Sequence, residues 1–441
     1  MKSNAPIFQK ATINHCKEAL YINVPETKLP RVVIIGGGFA GLSLIRSLRN
    51  DSVQIVLIDK NNYHQFQPLL YQVATSGLEP DSIAFPFRKQ FSSYKNVVFR
   101  MAEVLEINTE TNVISTDKGE IGFDFLVIAT GTATNYFNNK NIEKYSLGMK
   151  TLRDAIDIRH TMLQNLEKAT ITCDVKEKEA LTNFVIIGGG PAGVEMAGAL
   201  AEFCKYILPK DYPEYPAIMQ VFLVEGSEKL IGNMSDKASS KALKYLRELN
   251  VKVLLNEIVV NYDGNTVITK RGKIISTKNL VWTAGITGNY PKGIDERFIV
   301  KGNRIRTNNY LQLSGFKNIF VIGDIAAVIS KEYPIGHPQV AQPAIQQGKL
   351  LAKNILNIIN NKPLKSFKYN DKGSLATIGK HRAVADLGSF KLTGYLAWLL
   401  WSAVHLMSIS GFKNKLLVSI NWIISYFSYE KSNRLIILNK K

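Results

Sequence analysis

The residues best placed to do chemistry are two sets of glycines. Gly36, Gly38 and Gly41 lie in Arg31–Arg46, RVVIIGGGFAGLSLIR, and Gly188, Gly190 and Gly193 lie in Phe184–Ala199, FVIIGGGPAGVEMAGA. Each stretch is an apolar, β-branched run that stops at Gly-x-Gly-x-x-Gly and continues with small residues at helical spacing. In such a turn the first glycine permits a tight bend, the second lets backbone approach a pyrophosphate, and the third lets the helix pack on the strand. The helix start adds N–H groups and the positive end of its dipole for the phosphates. One fingerprint is weak evidence. Two in one chain imply two bound dinucleotides, between which a hydride can pass. The candidate contacts are Gly36, Gly37, Gly38, Phe39, Ala40 and Gly41 at the first turn, and Gly188, Gly190, Pro191, Ala192 and Gly193 at the second.

The elements around these turns repeat as well. After the first, the strand Val53–Ile58 runs into Asp59 and Lys60. An acid at that point can accept hydrogen bonds from both ribose hydroxyls. After the second, a loop over Lys205–Pro216 with three prolines precedes the strand Val221–Val224, which ends at Glu225. A carboxylate there repels a 2′-phosphate, so NADH is expected rather than NADPH. Phe125–Gly131, FLVIATG, is a strand entering a turn at Thr130 and Gly131. Leu280–Gly285, LVWTAG, mirrors it with Ala284 and Gly285. Asn318–Asp324, NIFVIGD, closes the series, and Asp324 can hydrogen-bond the ribityl chain of a flavin. These motifs flank the second fingerprint, so the second nucleotide domain is inserted within the first. Glu195 falls in the first turn of the second helix, where an acid is electrostatically favoured.

The pattern resembles the two-dinucleotide-binding flavoprotein superfamily, over about Arg31 to Leu350 and in five motifs in order. The resemblance implies non-covalent FAD at the outer site, NAD(P)H at the inserted one, and Glu195 near the contact between nicotinamide and flavin. The electron acceptor is narrowed by elimination. Cys16, Cys173 and Cys204 are scattered and form no C-x-x-C. Neither a redox dithiol nor a zinc site is supported, a reducing compartment is the default, and no metal is expected. The segment Ala341–Gly348, AQPAIQQG, opens a helical apolar pattern, with Pro343 in its first turn. Gln342 and Gln346 stand four apart on one face, and neutral amides can bond a quinone carbonyl without the desolvation cost of a charge. This segment resembles the A-Q-x-A-x-Q element of type II NADH dehydrogenases, which implies that Ala341 and Gln342 lie near the FAD and that Gln342 and Gln346 border a quinone site. Phe66–Pro80, FQPLLYQVATSGLEP, looks like the flavin-adjacent loop of the same family.

The formal net charge is +19, and Gln346–Lys441 holds fifteen Lys or Arg against Asp371, Asp386 and Glu430. A polyanionic partner follows, either nucleic acid or an anionic membrane surface. Leu392–Phe412 contains 21 residues without a charge, followed by Lys413, Lys415 and a second apolar run to Tyr429. A spanning helix, an interfacial anchor and a dimer contact all compete for this region. The interfacial reading is favoured, with two amphipathic helices in the membrane plane, Trp398, Trp401 and Trp422 at headgroup level, and Lys413 and Lys415 on anionic lipid. The A-W-L-x-W-x-x-V-H-L run and the G-F-K-N-K turn resemble the C-terminal membrane region of bacterial type II NADH dehydrogenases. His405 either delivers protons to a quinone or sits at the interface. Ala376–Leu387 reads as strand–turn–strand, with Lys380 and Arg382 either on phosphates or headgroups or in a solvated turn.

The expected fold is α/β, with two Rossmann-like domains, the NADH domain inserted in the FAD domain, and a C-terminal amphipathic-helix membrane region. The expected boundaries are 1–30 for a loosely packed extension without a secretory signal, 31–150 and 301–385 for the FAD domain, 151–300 for the NADH domain, and 386–441 for the membrane region. The expected activity is that of a non-pumping NADH:quinone oxidoreductase on the cytoplasmic face of the cell membrane, a homodimer being possible and nucleic acid not a partner. A flavoprotein reductase of a soluble acceptor and a flavin-bound NADH sensor are the alternatives.

Overall fold

The structure is a computed structural model that describes residues 21–213, 219–428 and 433–436. The chain forms two compact units, each assembled from three stretches. The first takes the chain up to His64, Pro86–Ala133 and Ile286–Asp371; the second takes Gln65–Phe85, Thr134–Gly285 and the chain from Lys372 onward. The cut therefore differs from the expected linear boundaries. The second unit begins earlier than 151, and it takes in both the 65–85 segment and everything after Asp371.

Each unit has the same skeleton. In the first, five parallel strands run in the order Ile319–Val321, Phe125–Ile128, Arg31–Ile35, Gln54–Asp59, Val97–Met101. In the second, the order is Leu147–Gly148, Asn279–Trp282, Asn183–Ile187, Gln220–Val224, Lys252–Leu254. The Val/Ile-rich central strands are buried on both faces, as a parallel sheet covered on both sides requires. Each unit also carries a three-stranded antiparallel sheet, Val104–Gly122 between the strands Val97–Met101 and Phe125–Ile128 in one, and Val259–Ser276 between Lys252–Leu254 and Asn279–Trp282 in the other.

Three expectations are revised. Lys205 to Asp211 is helical rather than loop. The Pro191–Glu202 helix widens into a π-helical turn, Phe203–Ile207, and continues as Leu208–Asp211. The charge-free run at 392–412 is not one helix. Its start belongs to the strand Phe390–Gly394, followed by the helices Tyr395–Ser408 and Phe412–Ser428. Glycine is the reason: Gly394 and Gly411 both adopt positive φ, and a Cβ at Gly411 would collide with the Phe85 ring. No described helix is long and apolar enough to cross a membrane. Of the expected N-terminal extension, 1–20 and with it Cys16 lie outside the described residues. Beyond them the chain is tied down, since Ile22 N–H donates to Glu120 O at 2.7 Å and Gln54 Nε2 to Pro25 O at 2.7 Å. The strand–turn–strand expected at Ala376–Leu387 is present as Ser374–Thr377 paired antiparallel with Ala383–Leu387.

Candidate functional site

The two glycine turns are built alike. Gly36 sits at φ 101° and Gly188 at φ 108°. Gly36 N–H donates to Ile58 O at 2.8 Å, and Gly188 N–H to Val224 O at 2.9 Å. Opposite them, Ala129 N–H donates to Ile35 O and Thr283 N–H to Ile187 O, both at 2.8 Å. A Cβ on Gly36 would lie 2.5 Å from Ala129 O, and one on Gly188 2.8 Å from Ala284 Cα. Cβ atoms on Gly41 and Gly193 would collide with the carbonyls of Gly36 and Gly188. The second glycines are different: Gly38 and Gly190 face open space, with nothing within 4 Å. The outer glycines thus close the fold while the middle ones stand open at the start of helices that no side chain caps. That is the geometry an incoming phosphate needs.

The expected acids also bind their own turns. Asp59 Oδ2 accepts from Gly37 N–H at 2.7 Å and Oδ1 from Asn61 N–H at 2.8 Å. Burial pushes its carboxyl up, and these two bonds oppose the shift. Glu225 Oε2 accepts from Gly189 N–H at 2.5 Å, and Oε1 accepts from Ser227 N–H and Oγ–H at 2.7 Å each. In the first unit Lys60 is exposed beside Asp59, and the Thr130 and Thr132 hydroxyls are buried without a partner. Open glycines and an orphaned hydroxyl fit a dinucleotide such as FAD. His64, which no local pattern singles out, bonds Gly37 O through Nδ1 at 3.0 Å, and burial lowers it to about 4.

The helix expected at AQPAIQQG is Ala341–Ile359. It packs on Phe39–Leu48 so closely that a Cβ on Gly348 would lie 2.5 Å from Ala40 O. Gln347, overlooked in the sequence, is fully buried and accepts from Gly323 N–H at 2.6 Å, while Gln339 Nε2 donates to Asp324 O at 2.9 Å. These amides fix the turn that carries Asp324. The signal for Gln347 was its phase, since it shares the inward stripe of Ala344 and Leu351. Of the two expected quinone amides, Gln342 is half-buried in the first turn. Gln346 is engaged at both ends: Nε2 donates to Asn370 O at 2.9 Å and Oε1 accepts from Asn370 N–H at 3.0 Å.

The second unit contains an open cavity of about 90 Å³, lined in part by Tyr71, Gln72, Thr377, Lys380, Trp398, Trp401, Trp422 and Tyr426. The Phe66–Pro80 segment reaches it through the short helix Leu70–Ala74. Next to the lining residues Thr377 and Trp401 lies Glu195, only 8 % exposed, whose Oε1 accepts from Thr377 N–H at 3.4 Å. Burial pushes its carboxyl up to about 8 against the pull of Thr377 N–H and the Trp401 indole. The indole N–H itself is buried and outside hydrogen-bonding geometry. The Tyr71 phenol accepts from Gln72 Nε2 at 2.8 Å and is driven well above its usual range by burial and by Glu195.

Several side chains expected on lipid face this cavity instead. Trp401 is buried, Trp398 stacks on Tyr395, and Trp422 Nε1 donates to Gln72 Oε1 at 2.8 Å. Lys380 does not await a headgroup: Nζ donates to Ser425 O at 2.5 Å and to Tyr426 O, holding the end of the last helix. Arg382 pairs with Glu248 at 2.6 Å. Lys415 Nζ donates to Met407 O at 2.9 Å, while Lys413 is exposed. His405 bonds Trp401 O through Nδ1 at 2.8 Å, and burial lowers it to about 4, so it is neutral at physiological pH. Asn414, also overlooked, donates to Asp81 O and Ala84 O at 3.0 Å each. The outer faces of the two helices are aliphatic and aromatic. Phe412, Leu416, Ile420, Ile423, Ile424 and Phe427 form one exposed stripe at helical spacing, and Leu396, Leu399 and Met407 form another.

The pyridine nucleotide-disulphide oxidoreductase family matches residues 30–348, and the NDH2 C-terminal domain family matches residues 372–428. The type II NADH:quinone oxidoreductase NdhA of Mycobacterium tuberculosis is 34 % identical, over 90 % of this chain and 87 % of its own length. The type II NADH:quinone oxidoreductase of Haemophilus influenzae is 30 % identical, over 81 % and 87 %. Among solved structures, NDH2 from Plasmodium falciparum in complex with NADH superposes with a TM-score of 0.83 at 21 % identity, over 93 % of this chain and all of that one. The sulfide:quinone oxidoreductase of Aquifex aeolicus shares the fold at a TM-score of 0.70 and 20 % identity, over 90 % and 95 %.

Proposed function

Given that the chain belongs to the type II NADH:quinone oxidoreductases, we propose that it catalyses NADH + H⁺ + quinone → NAD⁺ + quinol at a membrane surface, without pumping protons. FAD, held at the first cradle, would supply the hydride-accepting and two-electron-donating chemistry that links NADH to the quinone. The protein supplies binding, orientation and a proton. The observation that carries the reading is the duplicated cradle, two turns with matching bonds and an open middle glycine in each.

In the first unit FAD is assigned to Gly36–Gly41, Asp59, Lys60, Thr130, Gly131, Asp324, Ala341 and Gln342. NADH is assigned to Gly188, Gly190–Gly193, Glu195, Glu225, Ala284 and Gly285 in the second. Glu225, held in place by three donors, sits at the end of the second strand, where a 2′-phosphate would otherwise enter. Gln342 and Gln346 are assigned to border the quinone, and Gln346 has to release Asn370 before it can bond a carbonyl. Quinone reduction consumes two protons, and NADH brings only a hydride. Glu195 is the group we assign to hold a proton, since at pH 7 a carboxyl with a pKa of about 8 is mostly protonated.

The exposed stripes of the last two helices support attachment to lipid. The cytoplasmic face is the side on which NADH is available. A second copy of the chain is the competing occupant of these stripes, and it predicts a stable dimer that does not bind vesicles. Two-stage stopped-flow absorbance tests the activity. Anaerobic NADH should bleach the flavin band, and a short-chain quinone should restore it. Bleaching without recovery would remove the quinone assignment and favour a soluble acceptor.

A further inference from the structure

Between Glu332 and Asp371 the chain carries five lysines and no acidic residue. The first unit gathers them on one surface. After the Ala341–Ile359 helix the chain doubles back along it. Asn357 Nδ2 donates to Pro363 O, Asn354 Nδ2 donates to Lys365 O, and Lys365 N–H returns a bond to Asn354 Oδ1, all at 2.9 Å. Gln346 then clasps Asn370. Amide side chains thus staple residues 363–370 as a strap antiparallel to the helix. Its inner side chains, Phe367 and Tyr369, meet the His337 ring at 5.1 and 5.5 Å, while Lys365 and Lys368 stay exposed. Lys349 lies three residues after Gln346 and Lys353 four before Asn357, so both share the flank that the strap follows. With Lys362 these lysines are all exposed, and none pairs with an acid among the described residues.

The loop ahead of the helix adds an apolar tip to this basic face. Ile335 is 65 % and Val340 46 % exposed. The tip is held by a buried cation: Arg304 donates to Ile335 O and His337 O at 3.0 Å and to Ala326 O at 2.5 Å. A buried guanidinium is costly to desolvate, and here it fixes the backbone at Ile335 and His337.

We propose that this face of the first unit, strap, helix flank and loop tip, docks on an acidic phospholipid surface and forms a second lipid contact separate from the two C-terminal helices. Unneutralised lysines around an aliphatic tip match a layer of anionic headgroups over acyl chains. A phosphate-tracking groove for nucleic acid has no use for Ile335 and Val340. The proposal rests on the membrane-surface reading above but uses different residues.

The test is co-sedimentation of the full-length, FAD-loaded protein with phosphatidylcholine vesicles, with and without phosphatidylglycerol. Each lysine beside such a surface contributes about a fivefold change in partitioning. K349Q/K353Q/K368Q should therefore bind the acidic vesicles about a hundredfold more weakly at low salt, with binding to neutral vesicles and NADH–ferricyanide turnover unchanged. High salt should bring the wild type down to the variant's level. Equal binding of variant and wild type to acidic vesicles overturns the proposal. So does lysine-dependent binding to duplex DNA without a preference for acidic lipid. I423D/F427D reports separately on the C-terminal helices, because it should abolish binding to neutral vesicles whatever the lysines do.

Discussion

Replacing Glu195 with glutamine isolates the buried acid. The neutral amide keeps the size of the side chain and can still accept from Thr377 N–H. In the wild type, burial carries this carboxyl from 4.5 to about 8. At about 1.4 kcal/mol per tenfold change, that sets a ceiling of about 5 kcal/mol on what its ionisation takes from the fold. Unfolded, the group ionises near its ordinary value; folded, it stays protonated until about pH 8. Folding therefore takes up a proton between these values, and stability declines as pH rises through the window and levels off above it. Between pH 6 and pH 8 the contribution lost is about 2–3 kcal/mol, read as a few degrees in Tm. E195Q should lack this decline. We would follow thermal unfolding of both proteins from pH 5 to pH 9 with FAD in excess, and turnover over the same range. With quinone, E195Q should lose about a hundredfold in kcat. With ferricyanide, which takes electrons and no proton, it should not. Parallel Tm-against-pH curves for the two proteins between pH 6 and pH 8 would refute the buried-acid argument.

Three further perturbations separate other parts of the reading. E225Q removes the charge at the second strand end and should raise kcat/KM for NADPH about tenfold; no gain in steady-state assays would show that Glu225 does not face the ribose. G38A and G41A should behave oppositely: the first has room for its Cβ and should fold but bind FAD more weakly by titration, whereas the second collides with Gly36 O and should fail to yield soluble protein. I423D/F427D should release the enzyme from neutral vesicles while leaving NADH–ferricyanide turnover intact; if co-sedimentation still places it with them, the exposed stripe is not the anchor.

What was legible and what was not divides along the chain's length scales. The strand, glycine turn and helix were readable because each is set by neighbours a few residues away, and the matched backbone bonds of Gly36 and Gly188 follow from that local pattern. The helix break at Gly411 was less visible, since the ring that excludes a Cβ there belongs to Phe85. The tryptophans were misplaced for the same reason. Hydropathy marks Trp401, Trp422 and Ile423 alike, and only the partners decide that Trp422 reaches Gln72 while Ile423 faces outward.

By itself, then, the sequence determined that there are two dinucleotide cradles of one design, which acids end their second strands, and that its three cysteines form no C-x-x-C. Tertiary structure alone decided the burial of Glu195, the engagement of Gln346 with Asn370 and of Lys380 with the last helix, and which sides of the C-terminal helices stay open. The physical reason is that turn geometry is a property of adjacent backbone, whereas desolvation, and with it pKa and exposure, depends on groups brought together from distant parts of the chain.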